Sequence, residues 1–85
     1  MSHQASSRFW RSLESLPPEI QDLARQNFDL LKTDPRHPSL HFKRVGPFWS
    51  VRVDRYYRAL GLDSEDGILW FWIGPHEEYK RLIRS

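Results

Sequence analysis

The run ILWFWIG, residues 68–74, is apolar at every position and constrains the fold more than any other segment. Its length suits a β-strand and is far short of the roughly 20 residues that cross a bilayer as a helix. A strand without polar alternation is usually covered on both faces. We therefore predict a central strand with other elements packed above and below it.

The chain is predicted to form one domain over residues 1–85, because 85 residues leave no room for a second core. Twelve aromatic residues supply a dense core for this length. There are no cysteines, which excludes disulfides and thiolate zinc sites. No apolar stretch resembles a signal peptide or a membrane span, so a cytoplasmic protein without membrane association is expected. Residues 1–7, MSHQASS, are predicted to be a disordered tail.

Two helices are predicted in the first half. Ser7 can cap a short helix in which Phe9, Leu13 and Leu16 share one face. Pro18 suits the first turn of a second helix, whose apolar residues recur at helical spacing until Asp34-Pro35 ends it. These two segments predict a helical hairpin.

The second half changes to a period of two. The segments SLHFKRV (39–45) and WSVRVD (49–54) alternate apolar and polar residues, and YYRALGL (56–62) reads as a third strand. Asp66-Gly67 is a hairpin signal before the apolar strand, and HEEYKRLI (76–83) can form a last helix with Tyr79 turned inward. The predicted fold is α+β: a helical hairpin packed on a twisted antiparallel sheet of about four strands, followed by a short C-terminal helix.

Positive charge is concentrated in residues 36–58, which carry six Lys or Arg and one acidic residue, a formal +5. The whole chain is +2, so the remainder sums to −3. Such asymmetry favours a polyanionic partner. A solvated sheet face, where arginine is common, is the alternative interpretation.

Strand alternation predicts that one sheet face bears a basic set, comprising His41, Lys43, Ser50 and Arg52, while the parity of Arg58 stays open. His76 and Tyr79 follow the last strand and can border this face. A histidine can act as acid or base near neutral pH, and arginine binds phosphate oxygens bidentately. No Asp, Glu and His set has the spacing of metal ligands. RNA cleavage without a metal, by attack of the ribose 2′-OH, would need such groups.

Each of these residues has a simpler interpretation. His76 can hydrogen-bond a carbonyl at the strand end, and Arg58 can form an ion pair with Glu77 or Glu78. Tyr79 has the helical spacing of a core residue, and Lys43 and Arg52 can be solvated strand residues. The residues alone therefore indicate a basic α+β domain that binds nucleic acid.

Three segments, LPPEIQDLARQNFDLLKTDPRHPSLHFKRV, WSVRVDRYYRALG and WFWIGPHEEY, resemble the RelE/ParE superfamily of bacterial toxins of toxin–antitoxin systems, in particular its RelE-like branch. The similarity extends over about residues 8–84. It implies an mRNA endoribonuclease that acts at the ribosome without cofactor or metal, and a cognate antitoxin as protein partner.

The resemblance also implies roles for individual residues. Arg58 matches the arginine that binds phosphate and stabilises transition-state charge, and Arg52 matches a basic residue of the preceding strand. His76 matches a general acid, and Tyr79 a tyrosine that stacks on or orients the substrate. RNA phosphate contacts are predicted for a further set, Lys43, Arg44, His41 and Arg55.

The chain departs from the family pattern at two places. Ser50 stands where a lysine is common, and HQASS (3–7) is predicted to be too polar and short for the usual first strand. Because of these departures, a non-enzymatic function stays open beside the nuclease. It would be that of a ParE-like gyrase inhibitor or of a degenerate member that only binds its antitoxin.

Overall fold

A computed structural model describes residues 2–84, and Met1 and Ser85 lie outside the described range. The elements in chain order are β1 (Ser2–Ala5), α1 (Ser7–Glu14), α2 (Pro18–Thr33), a 3₁₀ turn (Pro38–Leu40), β2 (Lys43–Val45), β3 (Phe48–Arg52), β4 (Tyr57–Ser64), β5 (Gly67–Pro75) and α3 (His76–Arg84). The described strands form one sheet in the order β1-β5-β4-β3-β2. The α+β fold with a helical hairpin, a sheet and a C-terminal helix is confirmed.

The helical hairpin forms as its capping residues predict. The cap of α1 is Ser6 rather than Ser7, and its hydroxyl accepts the backbone N–H of Phe9 at 3.2 Å. Pro18 opens α2, and Asp34 ends it immediately before Pro35. The side-chain amide of Gln21 donates to the backbone carbonyl of Leu16 at 2.8 Å and closes the turn between the helices.

The predicted tail is wrong for residues 2–7, because Ser2–Ala5 forms β1 and Ser7 already belongs to α1. β1 pairs in parallel with β5, with Ser2 opposite Gly67 and Ala5 opposite Trp70. Strand pairing uses backbone groups, so polar side chains do not prevent it. His3 is accommodated because its Nδ1 accepts the indole N–H of Trp70 at 3.1 Å. The sheet therefore has a parallel edge in addition to the antiparallel strands.

The hairpin between β4 and β5 lies one residue earlier than predicted. Ser64 pairs with Gly67, which makes Glu65 and Asp66 the two turn residues. Gly67 is the first residue of β5 and lies against β1, where a Cβ would be 2.1 Å from the backbone oxygen of Ser2. A side chain at Gly67 is therefore incompatible with this parallel pairing.

The sheet separates two apolar layers, as the uninterrupted apolar strand predicts. The larger layer faces α1 and α2 and includes Trp70 and Ile73, and the smaller faces α3 and includes Leu60 and Trp72. A bulge in the β4–β5 register between Leu60 and Gly61 puts Trp70 and Trp72 on opposite faces. Both faces of β5 are therefore covered.

The first predicted strand, residues 39–45, is mostly wrong. Pro38–Leu40 is a 3₁₀ turn, and His41 has a left-handed backbone with φ of 45°. The strand is limited to Lys43–Val45. Pro38 favours the turn because its fixed φ suits a helical first position, and the turn ends at His41. His41 consequently lies outside the sheet.

An exposed polar cluster joins β2, β3 and β4 on the sheet face that α1 and α2 cover. Asp63 accepts two hydrogen bonds from the Arg44 guanidinium, at 2.7 and 3.0 Å, and one from the Trp49 indole at 2.8 Å. The guanidinium also lies over the Trp49 ring, 4.9 Å from its centroid. These hydrogen bonds, first that of Arg44 and then that of Trp49, lower the pKa of Asp63 to about 2.

We expect the cluster to make the stability of the fold pH-dependent. The folded-state pKa of Asp63 is depressed, so its contribution is present above the unfolded-state value of about 3.9 and is lost as pH falls toward 2. Asp63→Asn should lower the melting temperature at neutral pH, and its difference from wild type should shrink between about pH 5 and pH 2. Glu65→Gln, in the adjacent turn, is the control. Thermal melts that show the same pH profile for both variants would contradict the expectation.

Candidate functional site

The last helix is fixed to the sheet through one buried hydrogen bond. Tyr79 is only 6% exposed, and its hydroxyl lies 2.8 Å from the Ser50 Oγ. Ser50 is 2% exposed and belongs to a row of paired residues, Ser50, Leu60 and Trp72, that crosses the sheet beneath α3. Leu82 and Ile83 pack against the same cluster. The inward orientation predicted for Tyr79 is confirmed.

The next row of the same face carries the charge. Arg52 on β3 pairs with Arg58 on β4, and Arg58 pairs with Gly74 on β5. Because side chains two apart along a strand share a face, Arg52 lies on the same face as Ser50, and Arg58 on the same face as Leu60. The register thus settles the parity of Arg58, which sequence left open.

Arg58 is partly buried, and its guanidinium is held by the backbone. It donates to the carbonyl oxygens of Asp54 and Tyr57, the latter at 2.9 Å. Burial lowers the pKa of Arg58, and the neighbouring charge of Arg52 lowers it further. The group remains cationic at any physiological pH. The alternative of an ion pair with Glu77 or Glu78 is not observed within residues 2–84, where Glu77 pairs with Lys80.

Neither arginine forms an ion pair in the described part of the chain, although the nearby Asp54 carboxylate acts to raise the pKa of Arg58. The ion pairs found within residues 2–84 join Arg44 to Asp63 and Lys80 to Glu77. Like charges directly opposite each other on adjacent strands are destabilising. Binding of an external anion would offset the repulsion between the two arginines.

His76 is the first residue of α3, and its backbone and side chain do different things. The backbone N–H donates to the carbonyl of Tyr56 at 2.6 Å, which ties the start of α3 to the loop between β3 and β4. The imidazole stacks on Tyr79, with centroids 5.5 Å apart and planes inclined by 24°. No side-chain hydrogen bond of His76 is found within residues 2–84. The strand-end carbonyl interaction therefore uses the backbone and leaves the ring nitrogens available.

Tyr79 links the members of this site. Its hydroxyl contacts Ser50, its ring contacts His76, and it is close enough to raise the pKa of Arg58, against the lowering caused by burial. We call Arg52, Arg58 and His76 the cationic site. Arg52 and Arg58 pair on one face, at the end of the sheet where β5 leads into His76.

Of the four residues predicted to contact RNA phosphates, two lie near this site and two do not. Lys43 pairs with Ser50 and is exposed on the same face, and Arg55 is exposed in the β3–β4 loop with its guanidinium 5.5 Å from the Tyr56 ring centroid. Arg44 is bound to Asp63 on the opposite face, and His41 lies outside the sheet. Neither Arg44 nor His41 therefore shares the sheet face of the cationic site, and the phosphate contacts assigned to them stay predictions.

The stacking role implied for Tyr79 does not fit its burial. One side of its ring is occupied by His76, and the ring as a whole belongs to the α3 core cluster. A nucleobase has no access to it in this arrangement. Tyr79 instead positions the helix and the imidazole.

Three contributors were missed by reasoning from sequence. Ser50 was read as the loss of a lysine, although its small hydroxyl is what lets the Tyr79 hydroxyl reach the sheet. Gly74 is required because a Cβ there would lie 2.6 Å from the Trp72 ring. Tyr56, 63% exposed beside His76, looked like part of a strand. The sequence signal that could have indicated Tyr56 is the pair of tyrosines directly before Arg58.

Residues 2–84 contain no group of three or more His, Asp or Glu side chains arranged to hold a metal ion. None of their helices is long and apolar enough to span a membrane.

Comparison with known structures identifies the same architecture elsewhere. A chain of the RelB–RelE antitoxin–toxin complex from Methanococcus jannaschii superimposes with a TM-score of 0.71 at 12% identity, over 93% of this chain and 96% of that chain. A chain of the toxin–antitoxin complex RelBE2 from Mycobacterium tuberculosis gives 0.65 at 19% identity, over 88% and 96%. Isolated RelE of E. coli gives 0.60 at 10% identity, over 96% and 94%. At these identities the matches show the fold.

Sequence comparison supplies the family. The search of curated proteins finds no significant match. The family model of the ParE-like toxin domain matches residues 18–81, about three-quarters of the chain. The match includes α2, the strands from β2 to β5 and most of α3. This chain therefore belongs to the RelE/ParE superfamily of toxins of toxin–antitoxin systems.

Proposed function

We propose that this chain is an endoribonuclease toxin that cleaves translated mRNA at the ribosome without a metal ion. The observation that supports it most is the pair Arg52 and Arg58, which lie opposite each other on one face and form no ion pair within residues 2–84. An RNA phosphate would relieve their repulsion and accept their hydrogen bonds. The His76 ring, held on the same face by Tyr79, would lie beside that phosphate.

In the proposed reaction the ribose 2′-oxygen attacks the adjacent phosphorus after losing its proton to a base. The bond from phosphorus to the 5′-oxygen breaks, and the products are a 2′,3′-cyclic phosphate and a 5′-hydroxyl. Arg58 and Arg52 stabilise the negative charge that develops on the phosphoryl oxygens. His76 donates the proton that the leaving 5′-oxygen needs.

The remaining residues serve this site from outside it. Ser50 and Tyr79 hold α3 so that the imidazole stays on the arginine face. Lys43 and Arg55, both exposed, extend the positive charge along β2 and the β3–β4 loop for neighbouring phosphates. Such outer contacts position the backbone without reading sequence.

A cognate antitoxin is the proposed protein partner. The M. jannaschii and M. tuberculosis matches are chains of antitoxin–toxin complexes. An antitoxin that places acidic side chains on Arg52 and Arg58 would supply the missing counter-charge and exclude RNA. Its acidic residues would stabilise the arginine pair for the same electrostatic reason that RNA does.

The alternative is a binding function without catalysis, either as a gyrase inhibitor or as an antitoxin-binding member. It is kept because the family model that matches is the ParE-like one. Under this alternative the arginine pair would bind a protein carboxylate or DNA, and His76 would have no chemical role. Induction of DNA damage signalling without mRNA cleavage would favour it.

Inducing the chain in bacteria without its antitoxin should arrest growth and produce new mRNA ends, mapped by primer extension. Arg58→Ala should reduce cleavage about 10²–10³-fold, because it removes a donor that stabilises transition-state charge. Arg81→Ala is the matched control, since Arg81 is an exposed cation on the far part of α3. Equal protein levels and melting temperatures for the variants complete the comparison. Unimpaired growth at high wild-type expression would contradict the toxin proposal.

The acid role of His76 can be separated from a positioning role by the leaving group. His76→Gln should slow cleavage of ordinary RNA in programmed ribosomes by about 10²–10⁴-fold. A substrate with sulfur in place of the bridging 5′-oxygen needs no proton on departure, so the variant should cleave it at nearly the wild-type rate. An equal loss on both substrates would show that His76 does not act as the acid.

A further inference from the structure

Tyr56 is the most exposed aromatic residue in residues 2–84, and it is hydrogen-bonded through its backbone to His76 of the cationic site. Its side chain is 63% exposed, in the loop between β3 and β4. The loop position is fixed by Asp54, whose Oδ1 accepts the backbone N–H of Tyr56 at 2.8 Å and of Tyr57 at 2.9 Å. The Tyr56 carbonyl accepts the His76 backbone N–H at 2.6 Å. The backbone of Tyr56 is therefore held next to the start of α3, and its side chain is exposed to solvent.

No buried contact accounts for this placement. A tyrosine that contributes to a core buries its ring, as Tyr79 does at 6% exposure. Tyr56 is absent from both core clusters. Its ring contact is with the Arg55 guanidinium, 5.5 Å from the centroid. Trp10, 39% exposed, belongs to α1 on the other side of the sheet.

We propose that Tyr56 is a stacking platform for an unpaired nucleobase adjacent to the phosphate bound by Arg52 and Arg58. This inference rests on the proposed function, since it takes RNA as the ligand. Arg55 against one side of the ring and a base against the other would form a three-layer stack with cation–π and aromatic components. The neighbouring arginines would hold the phosphates on either side of that base.

The proposal gives Tyr56 the contact that family resemblance implied for Tyr79. Tyr79 is enclosed by His76 and the α3 cluster, whereas Tyr56, whose carbonyl accepts the His76 backbone N–H, has an exposed side chain. In this proposal Tyr79 orients the His76 imidazole, and Tyr56 stacks on the base. Because every base has a π-face, such stacking favours binding more than sequence discrimination.

The test uses a short RNA that cannot react because it has 2′-deoxyribose at the cleavage nucleotide. Its binding is measured by fluorescence anisotropy at low ionic strength. Tyr56→Ala should weaken binding roughly 5- to 100-fold, the usual range for loss of one stacked base, and Tyr56→Phe should bind like wild type. Leu62→Ala, also at an exposed apolar residue, is the control.

Abasic substitution identifies the base. Removing one base at a time should weaken wild-type binding most at a single position, and that position should have no further effect in Tyr56→Ala. Uniform weakening at every position would overturn the stacking proposal, as would a Tyr56→Ala variant that binds RNA normally but has lost affinity for the antitoxin. If wild type binds no RNA, the proposed function fails as well. Normal RNA cleavage with unchanged affinity in Tyr56→Ala overturns only the role of Tyr56.

Discussion

The hydrogen bond between Tyr79 and Ser50 is the contact on which the site depends. It joins two hydroxyls in an interior that is otherwise apolar, so breaking it leaves a buried polar group unsatisfied, at a cost of about 1–3 kcal/mol. Leu82 and Ile83 add apolar contact but do not define the rotation of α3 as a directional bond does. With that rotation fixed, the His76 ring lies on Tyr79, on the face that carries the arginines.

Two neighbouring rows of side chains on the α3 face of the sheet have different roles, one in stability and one in binding. Ser50, Leu60 and Trp72 form a buried row beneath α3, and one step along the strands Arg52, Arg58 and Gly74 form a row at the open end. The first row stabilises the fold by burial. The second places two like charges opposite each other without an ion pair within residues 2–84, a state that binding an anion would stabilise. A ligand that binds the native state alone also raises its stability.

Much of this architecture follows from sequence because strong local signals agree with the tertiary fold. Pro18 and Asp34-Pro35 bound α2, and the unbroken apolar run predicts a strand covered on both sides. β1 was missed because its pairing depends on the free backbone edge of β5, which no property of HQASS reveals. The strand position predicted for His41 was wrong because proline turn formation prevailed over alternation. The hydrogen bonds of Arg44 to Asp63, nineteen residues away, have no local signal in the sequence.

The site was less predictable than the fold for a related reason. Arg58 and His76 were singled out, but their common face depends on the β3–β4 register and on the docking of α3. Tyr79 was assigned to substrate through resemblance, and burial places it beneath the site. Tyr56 could not be distinguished from Tyr57 by pattern, since the bend between β3 and β4 decides which ring is exposed.

We propose that α3, docked on the sheet, and the pair Arg52 and Arg58 form one binding site for one phosphodiester. A nitrogen-15 NMR titration with an uncleavable 2′-deoxy-substituted RNA tests this, because it follows the signals of Arg52, Arg58 and His76 separately. All three signals are expected to shift together and to saturate with one dissociation constant. Arginine signals that shift while the His76 imidazole does not respond, or that saturate at a different concentration, would contradict it.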